Sequence, residues 1–361
     1  MHALSRFYHV LVKALTLAKG RRLSLEEGAV ELEVIHPAEV RPLSPVEMLE
    51  EDKALVTDAM HPGRLGKEWR SVNGEAVRHE ATIRYTFRNV LATPRGFYTS
   101  AGPFQTGGSY SLSGLITAKI PVYETGFYSP PTIGHRFFAH WMLDGLAHTL
   151  LRLPDEALYF GTPQNWPHAC EYLDILGLDR IKSPFVYFKE MTYCEDIGQN
   201  AGRHARFAEM RRRLFAKIGA ETHRGVFIKR GETGVRRLLD NEKDLEKQLV
   251  ARGYRVCSAT DDLNAILAAT AGASVVVSME GSHWAHAYHA ARWGARHVII
   301  NPSDRFNCWI SDITDAVGAR MGNVVATPQG DGYSVDIAKT MRMVDWAEAE
   351  SDQSSEQPYA L

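Results

Sequence analysis

The sequence predicts an α/β protein whose C-terminal part contains a parallel sheet with helices on both faces. Strand-like and helix-like segments alternate from residue 225 to residue 301 with short connections, which is typical of parallel sheets covered on both sides. The length of 361 residues also exceeds that of a typical single core and favours two domains. We expect an N-terminal domain at 1–219, a second domain at 220–335, and a helix with a disordered tail at 336–361.

The alternation in the second domain predicts each element in order. The expected elements are strand Gly225 to Lys229, helix Glu242 to Arg252, strand Tyr254 to Cys257, helix Asp262 to Ala271, strand Ser274 to Met279, helix His283 to Trp293 and strand His297 to Asn301. A last helix is expected from Asp336 to Glu348, followed by a polar tail from Ser351.

The N-terminal domain has a different pattern. Residues 29–120 suggest short strands and loops, among them Glu31 to Ile35 and an antiparallel pair formed by Ala81 to Asn89 and Gly96 to Ser100. Glycines and serines at 102–114 predict a loop. Apolar residues at helical spacing then predict a helix over Phe137 to Leu153, and α/β alternation continues to residue 219.

Composition excludes some functions and leaves others open. The 41 basic and 43 acidic residues nearly cancel, so net charge does not indicate a nucleic-acid binder. The four cysteines are far apart in the sequence and predict neither a zinc ribbon nor a disulfide framework. We therefore expect a cytoplasmic protein.

The N-terminal segment allows two interpretations. Its apolar stretch at 7–18 is shorter than the roughly 20 residues of a membrane span and is interrupted by His9 and Lys13, so we expect no signal peptide. Residues 1–22 carry five basic side chains and no acidic one. A helix there could pack on its own domain, or it could contact the anionic inner face of the plasma membrane.

One strand end predicts an anion site. The strand ending at Met279 leads into Glu280, Gly281 and Ser282, and a helix is expected from His283. A strand, a tight turn and a helix start together offer free backbone N–H groups to an anion.

A second strand end supplies positive charge. Arg230 follows the predicted strand at 225–229, and the next loop carries Arg236 and Arg237 before a helix opens at Asn241 and Glu242. Guanidinium groups bind phosphate oxygens in a bidentate manner, so a phosphate-bearing ligand is expected. Alternatively, the arginines are surface residues and Asn241 is only a helix cap.

A histidine and an aspartate could act as an acid–base pair. His140, Asp144 and His148 are spaced four residues apart along the predicted helix at 137–153. A carboxylate one turn from an imidazole orients it and raises its basicity, as a general base requires. The alternative is a helix whose polar residues merely face solvent.

A metal site is another possibility. It would combine the histidines at 283, 286 and 289 with His140 or Asp144, although no H-E-x-x-H motif is present.

These segments together resemble glycosyltransferase family 61 from about residue 135 to residue 305. His140 to Asp144 corresponds to the family's aromatic-flanked His/Asp segment, and Arg230 to Glu242 to its basic loop ending in Asn-Glu. Glu280 to His283 lies where many members have His-Gly-Ala-Gly, so Glu280 departs from the commoner histidine. Asn301-Pro302 lies where the family has a strand ending in a proline turn.

The resemblance implies two Rossmann-like domains facing a cleft, the GT-B type, without a metal or other cofactor. The second domain would hold a nucleotide-sugar, with a UDP-sugar expected, and the first would present a hydroxyl of a glycan or glycolipid acceptor, as in bacterial capsule or surface polysaccharide synthesis. In that inverting enzyme His140 would be the base, supported by Asp144. Arg230, Arg236, Ser282 and His283 would hold the diphosphate, with Asn241 and Glu242 at the donor site and Glu280 on ribose or sugar hydroxyls.

Two other functions stay open at this point. One is a non-catalytic sugar-binding or scaffold subunit of a polysaccharide assembly complex. The other is a metal-dependent hydrolase or lyase.

Overall fold

The computed structural model describes residues 24–105, 111–129, 137–160, 166–219, 221–231 and 237–353. Its strands, in chain order, are β1 Glu31–His36, β2 Glu39–Pro42, β3 Glu47–Met48, β4 Ala76–His79, β5 Thr82–Thr93, β6 Gly96–Thr99, β7 Gly102–Gln105, β8 Val122–Tyr128, β9 Ala157–Tyr159, β10 Val186–Glu195, β11 His223–Lys229, β12 Arg255–Ser258, β13 Ala273–Met279, β14 Arg296–Pro302, β15 Arg320–Gln329 and β16 Gly332–Val335.

Helices connect these strands. They are Leu25–Gly28, Glu50–Lys53, Leu65–Val72, Leu112–Thr117, the composite helix 138–151, Pro167–Ile175, Ala201–Ile218, Glu242–Ala251, Leu263–Thr270, the composite helix 282–290, the composite helix 311–317 and Ile337–Gln353.

The chain forms two compact units that are not consecutive in sequence. The first unit contains Met1–Glu39 and His79–Arg206, and the second contains Val40–Arg78 and Phe207–Leu361. The expected ranges 1–219, 220–335 and 336–361 differ from this division mainly because residues 40–78 belong to the second unit. There β3 pairs with β15, and the buried Glu68 carboxylate accepts a hydrogen bond from the Cys308 backbone N–H.

The first unit contains a mixed sheet. Its strand order is β7-β6-β5-β10-β8-β9, and β1 also pairs with β5. Strand β8 runs parallel to β9 and β10, whereas the remaining pairs are antiparallel. The predicted strand at 31–35 and the predicted antiparallel pair are confirmed, but the expected loop at 102–114 contains β7 and the start of a helix at Leu112.

The second unit contains the parallel sheet that the sequence predicts. Its order is β12-β11-β13-β14-β15-β16, with β3 beside β15. Only β16 is antiparallel to its neighbour within this order. Val275, Val276 and Val277 on β13 are all buried, as expected for a strand with both faces covered.

Several boundaries in the second unit differ from the predictions. The helix expected at 283–293 ends at Ala290, and β15 and β16 were not predicted. The last helix runs to Gln353, so the expected tail from Ser351 is wrong at its start. Ser351 is buried, and its hydroxyl is hydrogen-bonded to Arg292 Nη2.

Both chain termini lie partly outside the described residues. The expected basic helix at 1–22 and the part of the tail beyond residue 353 belong to these segments. No helix in the described ranges combines the length and apolar character needed to cross a bilayer.

Candidate active site

The helix 138–151 holds the first pair of candidate residues. It starts as an α-helix at Phe138–His140, continues as a π-helix over Trp141–Gly145, and returns to an α-helical turn before a short 3-10 end. Trp141, Leu143 and Leu146 are fully buried, and Trp141 stacks on Phe160 at 5.6 Å between ring centroids. Apolar packing therefore fixes this helix, and π-helical turns are frequent at functional sites.

His140 and Asp144 are in contact, as predicted. His140 Nδ1 lies 2.6 Å from Asp144 Oδ2. The side chains are 29% and 24% exposed, so both reach solvent from an otherwise buried helix. A carboxylate at Nδ1 favours a proton on that nitrogen and leaves the lone pair on Nε2. The geometry suits a general base.

The Asp144 carboxylate is also bound by a residue that the sequence did not single out. Arg203 Nη2 donates to Asp144 Oδ1, and the Arg203 side chain is only 3% exposed. Burial favours the protonated carboxyl, but Arg203 and the hydrogen bond from His140 outweigh it, so the pKa of Asp144 lies below its usual value. Asp144 is therefore ionised at neutral pH.

A second aspartate completes this network. Asp196 follows β10 and is ion-paired with Arg206 at 2.7 Å, and Arg203 also donates to its backbone carbonyl. Asp196 Oδ1 accepts a further hydrogen bond from Thr82. Although burial raises the pKa of Asp196, the two arginines lower it further. Carboxylates and guanidinium groups thus alternate from His140 into the core.

His148 does not extend the His140–Asp144 pair. It is buried, its Nδ1 is hydrogen-bonded to the Ser129 hydroxyl, and its Nε2 is hydrogen-bonded to the Cys194 carbonyl. Burial lowers the pKa of His148 and keeps it neutral. Because Ser129 and Cys194 lie at the ends of β8 and β10, His148 joins the helix to the sheet and has a structural role.

The second candidate site lies at the carboxyl ends of β11 and β13 in the other unit. Arg237 and Glu280 form an ion pair at 3.2 Å, and their side chains are only 6% and 5% exposed. Arg230 Nη1 donates to the Glu280 carbonyl at 3.0 Å. In open parallel sheets, ligands bind beyond this edge.

Gly281 allows Arg230 to lie against the turn. Its φ is 155°, and a Cβ at this position would come within 1.8 Å of Arg230 Nη1. Any side chain would therefore displace the guanidinium group. This is the physical reason for a glycine after Glu280.

The arginines outnumber the carboxylate. Arg305 adds to the repulsion between Arg230 and Arg237, while Glu280 provides the opposing charge. Burial and this repulsion lower the pKa of Arg230 to about 10, so it stays protonated at neutral pH. Nε and Nη1 of the buried Arg237 have no hydrogen-bond partner among the described residues. An anion would supply both the missing charge and the missing acceptors.

His283 lies beside these arginines as a neutral imidazole. Its Nε2 is 2.8 Å from the Ser278 hydroxyl, and that hydroxyl also lies 3.0 Å from the Met279 carbonyl, to which it donates. Nε2 is therefore the protonated nitrogen, and Nδ1 carries the lone pair. Burial and the nearby Arg230 hold the pKa of His283 well below its usual value. His283 can accept a hydrogen bond but adds no positive charge.

The other residues predicted to bind the donor have different positions and contacts. Ser282 starts the helix 282–290 directly after Gly281, whereas Arg236 lies outside the described residues. Asn241 does not cap its helix through its side chain. Instead, its amide binds the Val335 carbonyl at 2.7 Å, which joins the helix to β16. Burial raises the pKa of Glu242 at the same helix start.

Glu280 has a different environment from the one expected for a ligand to hydroxyl groups. Its Oε2 is ion-paired with Arg237, and Asn307 Nδ2 donates to its Oε1 at 3.4 Å. These contacts make Glu280 the internal counter-ion of the arginines. A role on ribose or sugar hydroxyls stays a prediction.

The metal hypothesis finds no support in the geometry. Within the described ranges, no three histidine, cysteine or acidic side chains are arranged to hold a metal ion. His283, His286 and His289 are all buried.

Three important residues were missed or undervalued in the sequence. Arg203 and Asp196 gave no motif, and Arg305 was not considered. Arg203 lies in the first turn of the helix Ala201–Ile218, which has no acidic residue in that turn, and there a positive charge opposes the helix dipole. This misplacement of charge is the sequence feature that could have indicated a tertiary partner.

Fold and site together define an α/β protein with one acid–base pair and one cluster of buried arginines. The family model Glycosyltransferase 61 matches residues 138–295, a little under half of the chain, and this range contains His140, Asp144, Arg230, Arg237 and Glu280. The match supports kinship with that family and a glycosyltransferase activity. No curated protein matches the chain.

One solved structure that is similar to part of this chain is the flavodoxin-like domain of a Synechococcus sp. protein. It has 12% sequence identity and covers 37% of this chain and 100% of its own, with a TM-score of 0.24. At that TM-score we infer neither fold nor function from the similarity.

Proposed function

We propose that this protein is a family 61 glycosyltransferase that moves a sugar from a nucleotide-sugar donor to a hydroxyl of a glycan or glycolipid acceptor. The observation that carries the proposal is the family match over residues 138–295. It includes the His140–Asp144 pair and the buried Arg230 and Arg237, which supply two functions that such a transfer needs.

In the proposed reaction, His140 Nε2 removes the proton of the acceptor hydroxyl. The acceptor oxygen forms a bond to the anomeric carbon while the bond from that carbon to the diphosphate oxygen breaks, which inverts the anomeric centre. Asp144 holds the imidazole through Nδ1 and stabilises the imidazolium that forms.

The leaving diphosphate is assigned to the arginine cluster. Arg230 and Arg237 are buried and carry an excess of positive charge over Glu280, and fixed cations stabilise a departing diphosphate. Arg236, Ser282 and the lone pair of His283 Nδ1 are proposed as additional donor contacts, with Asn241 and Glu242 at the edge of that site.

The finer parts of the proposal rest on the family resemblance alone. They are a GT-B type arrangement of the two units, a UDP-sugar as donor, transfer of a hexose or pentose without a metal, and a cytoplasmic role in bacterial surface polysaccharide synthesis. Peripheral membrane contact through residues 1–22 is part of the same proposal.

Calorimetric titration tests the donor class. The purified protein is titrated with UDP, GDP, CMP and their sugar conjugates, with and without chelator, alongside Arg230→Ala. Binding of one nucleotide that the substitution weakens supports the proposal. No binding to any nucleotide contradicts the proposal and favours a scaffold subunit. In an activity assay, turnover that is lost with chelator favours a metal enzyme.

A further inference from the structure

We propose that Arg203 is a positioning residue of the candidate active site, because it fixes the Asp144 carboxylate against His140 and balances its charge. The inference rests on the proposed function only where His140 is taken as the base that removes a proton from the acceptor. Its structural basis is independent of the substrate.

The Asp144 carboxylate is held at both of its oxygens. The two oxygens of Asp144 have different partners, since Oδ2 faces His140 Nδ1 at 2.6 Å and Oδ1 accepts from Arg203 Nη2. A carboxylate bound at both oxygens cannot rotate without losing one partner. The side chain of Asp144 is therefore held in the orientation that keeps the proton on His140 Nδ1.

Arg203 is itself held in place by several contacts. Its side chain is 3% exposed, and Nη1 donates to the Asp196 carbonyl. Its backbone N–H donates to the Asn200 side chain at 3.0 Å, and Asn200 is bound to Thr82. The guanidinium group is thus held by the backbone that follows β10, while the backbone of Arg203 is linked through Asn200 to β5, so the side chain can act as a rigid donor.

Arg203 also balances the negative charge of Asp144. The charged groups that act on Asp144 are His140 on its own helix, Arg203 on the helix Ala201–Ile218 and Asp196 after β10. Arg206 pairs with Asp196, and His148 is neutral. Arg203 is consequently the cation that opposes Asp144 most directly. Without it, the negative charge of Asp144 would act on His140 alone and stabilise the imidazolium.

This predicts the sign of a measurable change. Loss of the Arg203 charge shifts the protonation equilibrium of His140 toward the imidazolium, because a nearby cation disfavours that charged form. In an active enzyme, the acidic limb of the pH–rate profile then moves to higher pH, because His140 must be neutral to act as a base.

Nuclear magnetic resonance titration of the histidine ring of the full-length protein tests the inference without a substrate. The His140 signal is assigned from its absence in His140→Asn. The variants are Arg203→Met, Arg203→Gln in case the first does not fold, and Arg203→Lys, which keeps the charge. Arg213→Met is the matched control, since Arg213 lies on the same helix but pairs with Glu209.

We expect the pKa of His140 to rise in Arg203→Met or Arg203→Gln and to stay near the wild-type value in Arg203→Lys and Arg213→Met. An unchanged value in a folded Met or Gln variant overturns the inference, and so does an equal rise in Arg203→Lys. The titration uses no sugar donor or acceptor. Absence of transferase activity would therefore reject the proposed function but would not affect the titration as a test of Arg203.

Discussion

The two candidate sites differ in how their charges are balanced. In the first unit, the side chains from His140 inward alternate in sign, with Asp144, Arg203, Asp196 and Arg206 each facing an opposite charge. In the second unit, two buried arginines, Arg230 and Arg237, share the carboxylate of Glu280, and Arg305 nearby adds positive charge. In the first network each charge faces an opposite charge, whereas the second site has more cations than carboxylates.

This difference separates the chemistry of the sites. A balanced network holds one imidazole in a fixed protonation state, as proton transfer requires. An unbalanced group of buried cations is costly unless an anion binds, as expected for a diphosphate. The contrast can be tested by substitutions that affect one site and leave the other unchanged.

The largest expected effect is that of His140→Asn on catalysis. Loss of the general base should lower kcat by about a hundredfold to ten-thousandfold, while nucleotide affinity stays the same because the arginine cluster is intact. Initial rates and calorimetry measure the two quantities. His61→Asn, at an exposed histidine, is the control, and full activity of His140→Asn would remove His140 from the mechanism.

The next effect is on stability. Asp196→Asn should lower the free energy of unfolding at neutral pH by about 3 kcal/mol, because it leaves the largely buried Arg206 without its carboxylate partner. Since the pKa of Asp196 is lower in the folded state, its contribution is present above an ordinary aspartate pKa of about 4 and is lost as pH falls through the folded value.

Urea unfolding at neutral pH and below about pH 4 measures this difference. Asp179→Asn, at an exposed aspartate, should have no effect at either pH. A destabilisation by Asp196→Asn that stayed constant through the acidic range would contradict the charge argument.

A smaller effect is expected on nucleotide binding. Arg237→Met removes one charged donor and should weaken binding of a nucleoside diphosphate by about ten- to a hundredfold. It also leaves Glu280 unpaired, so Arg237→Met with Glu280→Gln should recover stability but not affinity. Arg212→Met, at a surface arginine paired with Glu209, should leave calorimetric affinity unchanged.

The smallest effect is expected for Gly281→Ala. The new methyl group would displace Arg230, and we expect roughly tenfold weaker nucleotide binding from about 1–2 kcal/mol of strain and lost contact. Gly253→Ala is the matched control, since φ is +86° there and no atom lies within 4 Å of an added Cβ. Equal nucleotide affinities of Gly281→Ala and Gly253→Ala would show that binding does not depend on the close contact between Arg230 and the Gly281 backbone.

Local pattern predicted the elements well where each strand is buried and each helix amphipathic. The alternating segments from β11 to β14 were found where the sequence indicated them. The contact between His140 and Asp144 also followed from spacing, because residues four apart lie on one helical face. The π-helical turn between them was not predicted, since it depends on how Trp141 and Leu143 pack.

The sequence by itself determined the parallel sheet of the second unit, the acid–base pair and the turn with a nearby basic loop at two strand ends. Period and burial pattern are local properties, so the sequence contains them directly. Tertiary structure alone decided that residues 40–78 join the second unit, that Glu280 is the counter-ion of Arg237, and that Arg203 reaches Asp144 from 59 positions away. Charge pairing of this kind depends on distance in space, which no spacing in the chain reveals.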